Sequence, residues 1–199
     1  NVLGAEQHGH MEAVGYDLYC KMLNEAVLAL KGETVESETY ETVVECDINA
    51  YIPAYYIKNE YQKLDIYKRI SAIETEDEYM DMQDELTDRF GDIPKSVENL
   101  LKIAALKAMA HRAYVTEVSI NRQEVRLTMY QKARLKVELI PGFVKSYKGN
   151  LKMMPGEVPV LLYTDSRNKN KDSFPMMKMA RELVEGLSGL TEGENTVEH

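Results

Sequence analysis

One stretch near the middle of the chain carries its own start and stop signals. In "TEDEYMDMQDELTDRFGDIP", residues 75–94, Thr75 and Glu78 have the spacing of a capping box, which opens a helix by satisfying its first amide groups. Tyr79, Met82, Leu86 and Phe90 then recur at three- and four-residue steps, the period of one helix face. Gly91 is placed to end that helix, and Pro94 suits the first turn of the next. On the near side, residues 58–73 predict a helix with Tyr61, Leu64, Tyr67 and Ile70 turned inward. On the far side, "VENLLKIAALKAMAHRA" predicts a third, with Val97, Leu101, Ala104 and Ala108 facing a core.

Strand signals surround these three helices. "TVVECDI", residues 42–48, reads as a strand, and residues 116–130 read as a hairpin turning at 121–123. "ARLKVELI" fits helix or strand equally well. "LKMMPGEVPVLLYT" reads as a second strand pair broken at Pro155 and Gly156. Residues 175–187 predict a last helix with Met176, Met179, Ala180, Leu183 and Leu187 inward. The fold class expected is α+β: a small mixed or antiparallel sheet, built from distant parts of the chain, packed with several helices.

Ahead of this domain, residues 11–30 predict a helix with two apolar rows. Tyr16, Tyr19, Leu23, Ala26, Val27 and Leu30 form one, and Met11, Val14, Leu18 and Met22 the other. Such a helix is buried on two sides or lies between two domains. Residues 31–41 are polar and unpatterned, so they read as a linker, and 191–199 read as a disordered tail. The expected organisation is a connector over 1–30, the linker over 31–41, and the main domain over 42–190.

Charge is unevenly spread. Between Glu74 and Asp88 there are eight acids and no Lys or Arg, whereas between Arg122 and Arg181 there are 13 basic residues against five acidic ones. Either segment can be an interaction face or simply a solvated surface. The net charge of −9 disfavours general binding to nucleic-acid phosphates. No apolar run reaches transmembrane length, so no membrane partner is expected, and the two cysteines are too few for a disulfide framework, which suggests the cytoplasm.

Motifs for chemistry are missing. His8, Gly9 and His10 with Cys20 lack the spacing of a zinc site, and there is no nucleophile elbow and no phosphate-binding Gly-Lys-Ser/Thr. No catalytic residue, metal or cofactor is therefore expected of this stretch of chain itself.

Three motifs point elsewhere. "NVLGAEQHGHMEAVGYDLYCKMLNEAV" resembles the end of the translocase module in the bacterial transcription-repair coupling factor family, with Asn1, Leu3, Gly4, Gln7, Gly9, Gly15, Tyr16, Leu18 and Tyr19 matching. "YIPAYYIKNEYQKLDIYKRIS" and "DELTDRFGDIPKSVENLL" resemble two later segments of the same family, in the same order. Beyond about Ala113 the resemblance is diffuse. It implies that the chain is cut from a larger protein, with Gly4, Gln7 and Gly9 the remnant of a translocation motif.

The resemblance further implies an autoinhibitory and regulatory C-terminal domain of an ATP-dependent DNA translocase, which removes stalled RNA polymerase and recruits nucleotide-excision repair. ATP, magnesium and duplex DNA would belong to the parent motor. This domain would hold the N-terminal domain that binds the repair partner, an excision-repair damage-recognition ATPase. Glu85 and Asp88 are three apart on a helix, opposite its apolar stripe, and Asp81 and Asp84 lie nearby. By resemblance Glu85 and Asp88 meet basic residues of that N-terminal domain and form the centre of the autoinhibitory contact, to which Asp84 and Asp81 would add long-range attraction. The alternative is auxiliary DNA binding by the basic half, through Arg126, Lys132, Arg134, Lys136, Lys145 and Lys148, which are interleaved with aromatic residues.

Overall fold

In a computed structural model of the protein, residues 40–165 and 173–191 are described. Gly4, Gln7, Gly9, the helix expected over 11–30 and most of the linker lie outside them, as do residues 192–199. The chain divides into two units, and the division falls within one helix, between Ala108 and Met109.

The first unit, from Ile48 to Ala108, is helical. Helix α1 is Glu60–Ser71, α2 is Glu76–Phe90 and α3 is Lys95–Arg112, its last turn belonging to the second unit. The caps follow the sequence. Asn59 accepts a hydrogen bond from the Gln62 amide (3.1 Å) and Thr75 accepts one from the Glu78 amide (3.2 Å). The Glu78 carboxylate returns to the Glu74 amide (3.0 Å), one residue before the cap. Gly91 closes α2 with φ of +87°, a conformation that glycine adopts without cost.

The inward face of α1 corrects one expectation. Tyr61 is 84% exposed, and the buried positions are Lys63, Ile66, Tyr67 and Ile70. At 3.6 residues per turn, residues six apart lie roughly 120° apart around a helix, so Tyr61 and Tyr67 do not share a face. Residues 63, 66, 67 and 70 do share one, and the long stem of a lysine can line it. In α2, Met82 and Leu86 are buried as expected, with Tyr79 and Phe90 half-buried.

The tyrosine-rich segment before α1 straps this unit together. Ile52 donates its amide hydrogen to the Tyr67 hydroxyl (2.8 Å), and Asn99 donates to the Asn49 carbonyl (3.0 Å). The Tyr56 hydroxyl lies within hydrogen-bonding distance of the carbonyls of Leu86 (3.1 Å) and Gly91 (2.9 Å), and so ties this segment to the end of α2.

The second unit is built on a five-stranded sheet in the order β1-β2-β3-β5-β4. Its strands are β1 (Val43–Cys46), β2 (Val115–Ile120), β3 (Glu124–Met129), β4 (Leu151–Met154) and β5 (Val160–Thr164). The pair β1 and β2 is parallel and the rest are antiparallel, so the sheet is mixed. The hairpin turn is fixed by Asn121, whose side chain accepts from the amides of Gln123 (3.0 Å) and Glu124 (2.8 Å). On one face Val44, Val118, Leu127 and Leu161 lie in register and are buried, and helix α5 (Phe174–Ser188) packs on β2 and β3. The other face carries Glu45, Ser119, Arg126, Leu162 and Lys152 in one register row, none of them buried.

The ambiguous "ARLKVELI" becomes neither a strand nor a simple helix. Leu135 bridges to Thr191, Val137–Leu139 form a 3-10 turn, and a short helix that the sequence reading did not include, α4 (Ile140–Ser146), follows. Pro141 sits in its first turn. From α4, Phe143 lies against Gly186 of α5, where an added methyl group would fall 2.6 Å from Phe143 Cε2. Phe143, Tyr147 and Tyr163 continue as edge-to-face ring pairs with centroids 5.4 and 6.0 Å apart.

The entry of the chain into this unit is also held. The Tyr40 ring stacks on Tyr130 (4.5 Å), and its hydroxyl donates to the His111 carbonyl. Thr42 donates to the Val115 carbonyl (2.6 Å) and pairs with His111 Nδ1 (3.1 Å).

Candidate functional site

The acids of α2 divide into two sets. Asp77, Asp81, Asp84 and Asp88 follow one another at steps of four, three and four residues, so they form one row. All four are exposed, and the row lies on the side away from buried Met82 and Leu86. Asp77 extends the set of Asp81, Asp84 and Asp88 by one turn, and the same helical spacing in the sequence could have found it.

Glu85 stands to the side of this row. Its carboxylate receives both arms of the Arg69 guanidinium from α1: Nη2 donates to Oε1 (2.7 Å), and Nη1 donates to Oε2. Arg89 Nη1 adds a third bond to Oε2 (3.2 Å), and Asp65 lies 3.9 Å from Arg69. Hydrogen bonding from Arg69, aided by its charge and by Arg89, holds the Glu85 carboxyl below the usual glutamate range against a smaller opposing effect of burial. The same pair raises Arg69 further, chiefly through its bond to Glu85. Glu85 and Asp88, three residues apart, therefore have different surroundings. One closes a helix-to-helix clamp and the other is presented to solvent.

Asp88 lies in the last turn of α2, where the helix dipole disfavours a negative charge. Its neighbour Arg89 is turned toward Glu85 and over the Phe90 ring, with 4.9 Å between guanidinium carbon and ring centroid. The Tyr56 ring lies 5.8 Å from Phe90, and burial, with the charge of Asp92, raises the Tyr56 hydroxyl. This end of α2 is thus packed on one side and acidic on the other.

The basic residues of the second unit do not share an element. Arg126 is on β3, Lys132, Arg134 and Lys136 follow β3 in the loop, Lys145 is on α4 and Lys148 lies just after it with φ of +53°. Arg126 has Glu124 at 3.9 Å, and Glu45 and Glu117 are on the same face of the sheet. Lys136 gives its backbone amide to the Leu190 carbonyl (2.7 Å).

Among the described residues no group of three or more His, Cys, Asp or Glu is placed to hold a metal ion. Within the same residues, no helix is long and apolar enough to cross a membrane.

The profile of the TRCF domain matches residues 46–140, beyond the point near Ala113 where the motifs thin out. The transcription-repair-coupling factor of Bacillus subtilis (strain 168) is 41% identical over 138 residues, which is 69% of this chain and 12% of that protein. That of Staphylococcus aureus (strain USA300) is 44% identical over 117 residues, 58% of this chain and 10% of that protein. The chain therefore spans only about an eighth of such relatives. A crystal structure of the C-terminal domain of transcription-repair coupling factor superposes with a TM-score of 0.60 at 26% identity, covering 74% of this chain and 92% of that one. The mixed α+β fold and these likenesses agree, and the chain belongs to the transcription-repair-coupling factor family, in which it corresponds to the C-terminal TRCF domain.

Proposed function

We propose that this domain is a regulatory latch without catalysis of its own, belonging to an ATP-dependent DNA translocase that acts on stalled RNA polymerase and recruits excision repair. In this reading the domain holds the N-terminal, repair-partner-binding domain of the same protein through the acidic side of α2. Encounter with polymerase releases it, and the damage-recognition ATPase can then bind. ATP, magnesium and duplex DNA are the business of the motor in the full-length protein, with Gly4, Gln7 and Gly9 the tail of its translocation motif.

The observation that carries this reading is the exposed row Asp77, Asp81, Asp84 and Asp88, one sign of charge aligned along a rigid helix. Surface ion pairs contribute about 0–1 kcal/mol each and are screened by salt. A contact made of several is strong enough to hold and weak enough to open, as a latch requires. Glu85 supports the contact by fixing α2 to α1, while Asp88 with Asp81 and Asp84 meets the partner.

The test is binding between this chain and the N-terminal domain of its own full-length protein. The triple variant D81N/D84N/D88N should weaken binding by about tenfold at low salt. In the full-length protein it should increase capture of the repair partner. Equal binding by the variant and the parent at low salt would remove the latch from this face.

A further inference from the structure

The 3-10 turn between β3 and α4 presents two aliphatic side chains to water: Val137 is 71% exposed and Leu139 is 45% exposed. We propose that this turn is a docking surface for a protein segment that carries carboxylates beside leucine-like side chains. The turn belongs to the sheet-bearing unit, so the proposal does not draw on the reading of α2.

The exposure is built into the fold. Leu135 bridges to Thr191, and the Lys136 amide donates to the Leu190 carbonyl (2.7 Å), so the chain is tied down just before the turn. Within it the Leu139 amide donates to the Lys136 carbonyl (3.0 Å). Just after it, α4 is tied to α5 where Phe143 lies against Gly186. A turn held at both ends keeps its aliphatic carbons in water, and a partner that covers them recovers the hydrophobic stabilisation.

The rim decides what can cover them. Lys132, Arg134 and Lys136 come just before the apolar pair and Lys145 just after, and Glu138 is the one acid in residues 132–145. Among the described residues no carboxylate pairs with any of these four cations. Four cations on a chain of net charge −9 are too few to hold a polyanion unaided. Around an apolar centre they form the charged rim of an ordinary protein interface, and they select a partner of opposite sign.

Nucleic acid fits this surface less well. Bases dock by stacking on aromatic faces, and Val137 and Leu139 offer none. The aromatic residues that flank the segment are engaged inside the unit: Tyr130 stacks on Tyr40, and Tyr147 pairs edge-on with Phe143 and Tyr163.

The test titrates the whole chain at low salt with a fluorescein-labelled peptide of glutamate and leucine, and with one of glutamate and serine of equal length and charge. The glutamate-leucine peptide should bind at least about fivefold more tightly. V137S/L139S should weaken its binding about five- to tenfold and leave the unfolding midpoint unchanged, since both residues are exposed. K132Q/R134Q should weaken it about three- to tenfold and flatten its dependence on salt. K152Q/K178Q removes the same charge at exposed lysines elsewhere in the unit and should change affinity by less than about twofold.

Equal binding of the two peptides would overturn the proposal. So would a V137S/L139S variant that binds like the parent, or equal losses in K132Q/R134Q and K152Q/K178Q. Tighter binding of single-stranded oligothymidylate than of the glutamate-leucine peptide would give the turn to nucleic acid instead. A dimer of the chain that V137S/L139S abolishes in sedimentation would give it to a second copy. If V137S/L139S lowers the unfolding midpoint, the comparison of the two peptides and the K132Q/R134Q arm still decide the matter.

Discussion

Two parts of this molecule start from similar sequence signals and end differently. Residues 74–88 carry an excess of acid and residues 122–181 an excess of base. In the first case the segment is one helix, and its period gathers Asp77, Asp81, Asp84 and Asp88 on a single row opposite Met82 and Leu86. In the second the described basic residues are dealt out to two strands, loops and two helices, and Arg126 shares its sheet face with Glu45, Glu117 and Glu124. A bias in composition becomes a directed surface charge only where one regular element aligns it. Elsewhere it is divided among faces and in part neutralised locally.

This contrast can be broken at several points, the most severe first. The acid row faces out because Leu86 is fully buried on the other side of α2. Leu86→Ala should cost about 2–5 kcal/mol in denaturant unfolding. A cost below about 1 kcal/mol would mean that α2 is not anchored by its inner face.

In the sheet-bearing unit, Gly186 lies close against Phe143. Gly186→Ala should cost about 1–3 kcal/mol, because a methyl group would fall 2.6 Å from Phe143 Cε2. Adding Phe143→Leu should recover part of that loss. If Gly186→Ala is neutral by thermal unfolding, the half-buried Phe143 ring moves aside without cost.

Removing the cap of the acidic helix comes next. Thr75→Ala should destabilise by about 1 kcal/mol through loss of the bond to the Glu78 amide. Fraying at the start of α2 should appear as faster amide exchange there and no change in β2 or β3. Faster exchange across the sheet would show that the helix start supports more than its own unit.

A smaller effect is set by pH. Glu85 has a lowered carboxyl in the folded state, so its contribution is complete above the unfolded glutamate value of about 4.3. It is lost as pH falls through the lower folded value. The pair is surface-screened, so the difference between the parent and E85Q should stay within about 1 kcal/mol at neutral pH. That difference should shrink as the solution is acidified, and a gap that widens toward low pH would contradict the clamp.

The smallest expected effect concerns the basic half. Arg126→Gln should change stability by less than about 0.5 kcal/mol. Duplex or single-stranded DNA should bind the chain no better than about 100 μM at 200 mM salt. Micromolar binding at about 50 mM salt with a steep salt slope, reduced by K145Q/K148Q, would favour the auxiliary DNA-binding reading instead.

Much of the helical unit was legible from local signals. Thr75 with Glu78, Gly91 and Pro94 bound α2 and α3 because caps and stops depend on neighbours in the chain. The hairpin at Asn121 was legible for the same reason. Residue type points Tyr61 inward, whereas its spacing from buried Ile66, Tyr67 and Ile70 turns it to solvent. Helix α4 was missed because "IPGFVKS" is too short to show a period, and proline and glycine inside it read as loop.

The acidic site was half legible. Helical spacing put Asp81, Asp84 and Asp88 together, and it could have added Asp77. It could not separate Glu85 from Asp88, since that depends on Arg69, 16 residues earlier on another helix.

The sequence alone determined most of the element types, the bounds of α2, the sign of charge on each stretch and the family of the domain. All of these follow from short-range steric preference and from residue order. Tertiary structure alone decided that β1 pairs in parallel with β2, some 70 residues away, that the basic residues are spread over several elements, and that Arg69 closes on Glu85. Those outcomes rest on which surfaces meet when the core is buried, and no local pattern in the chain encodes the meeting.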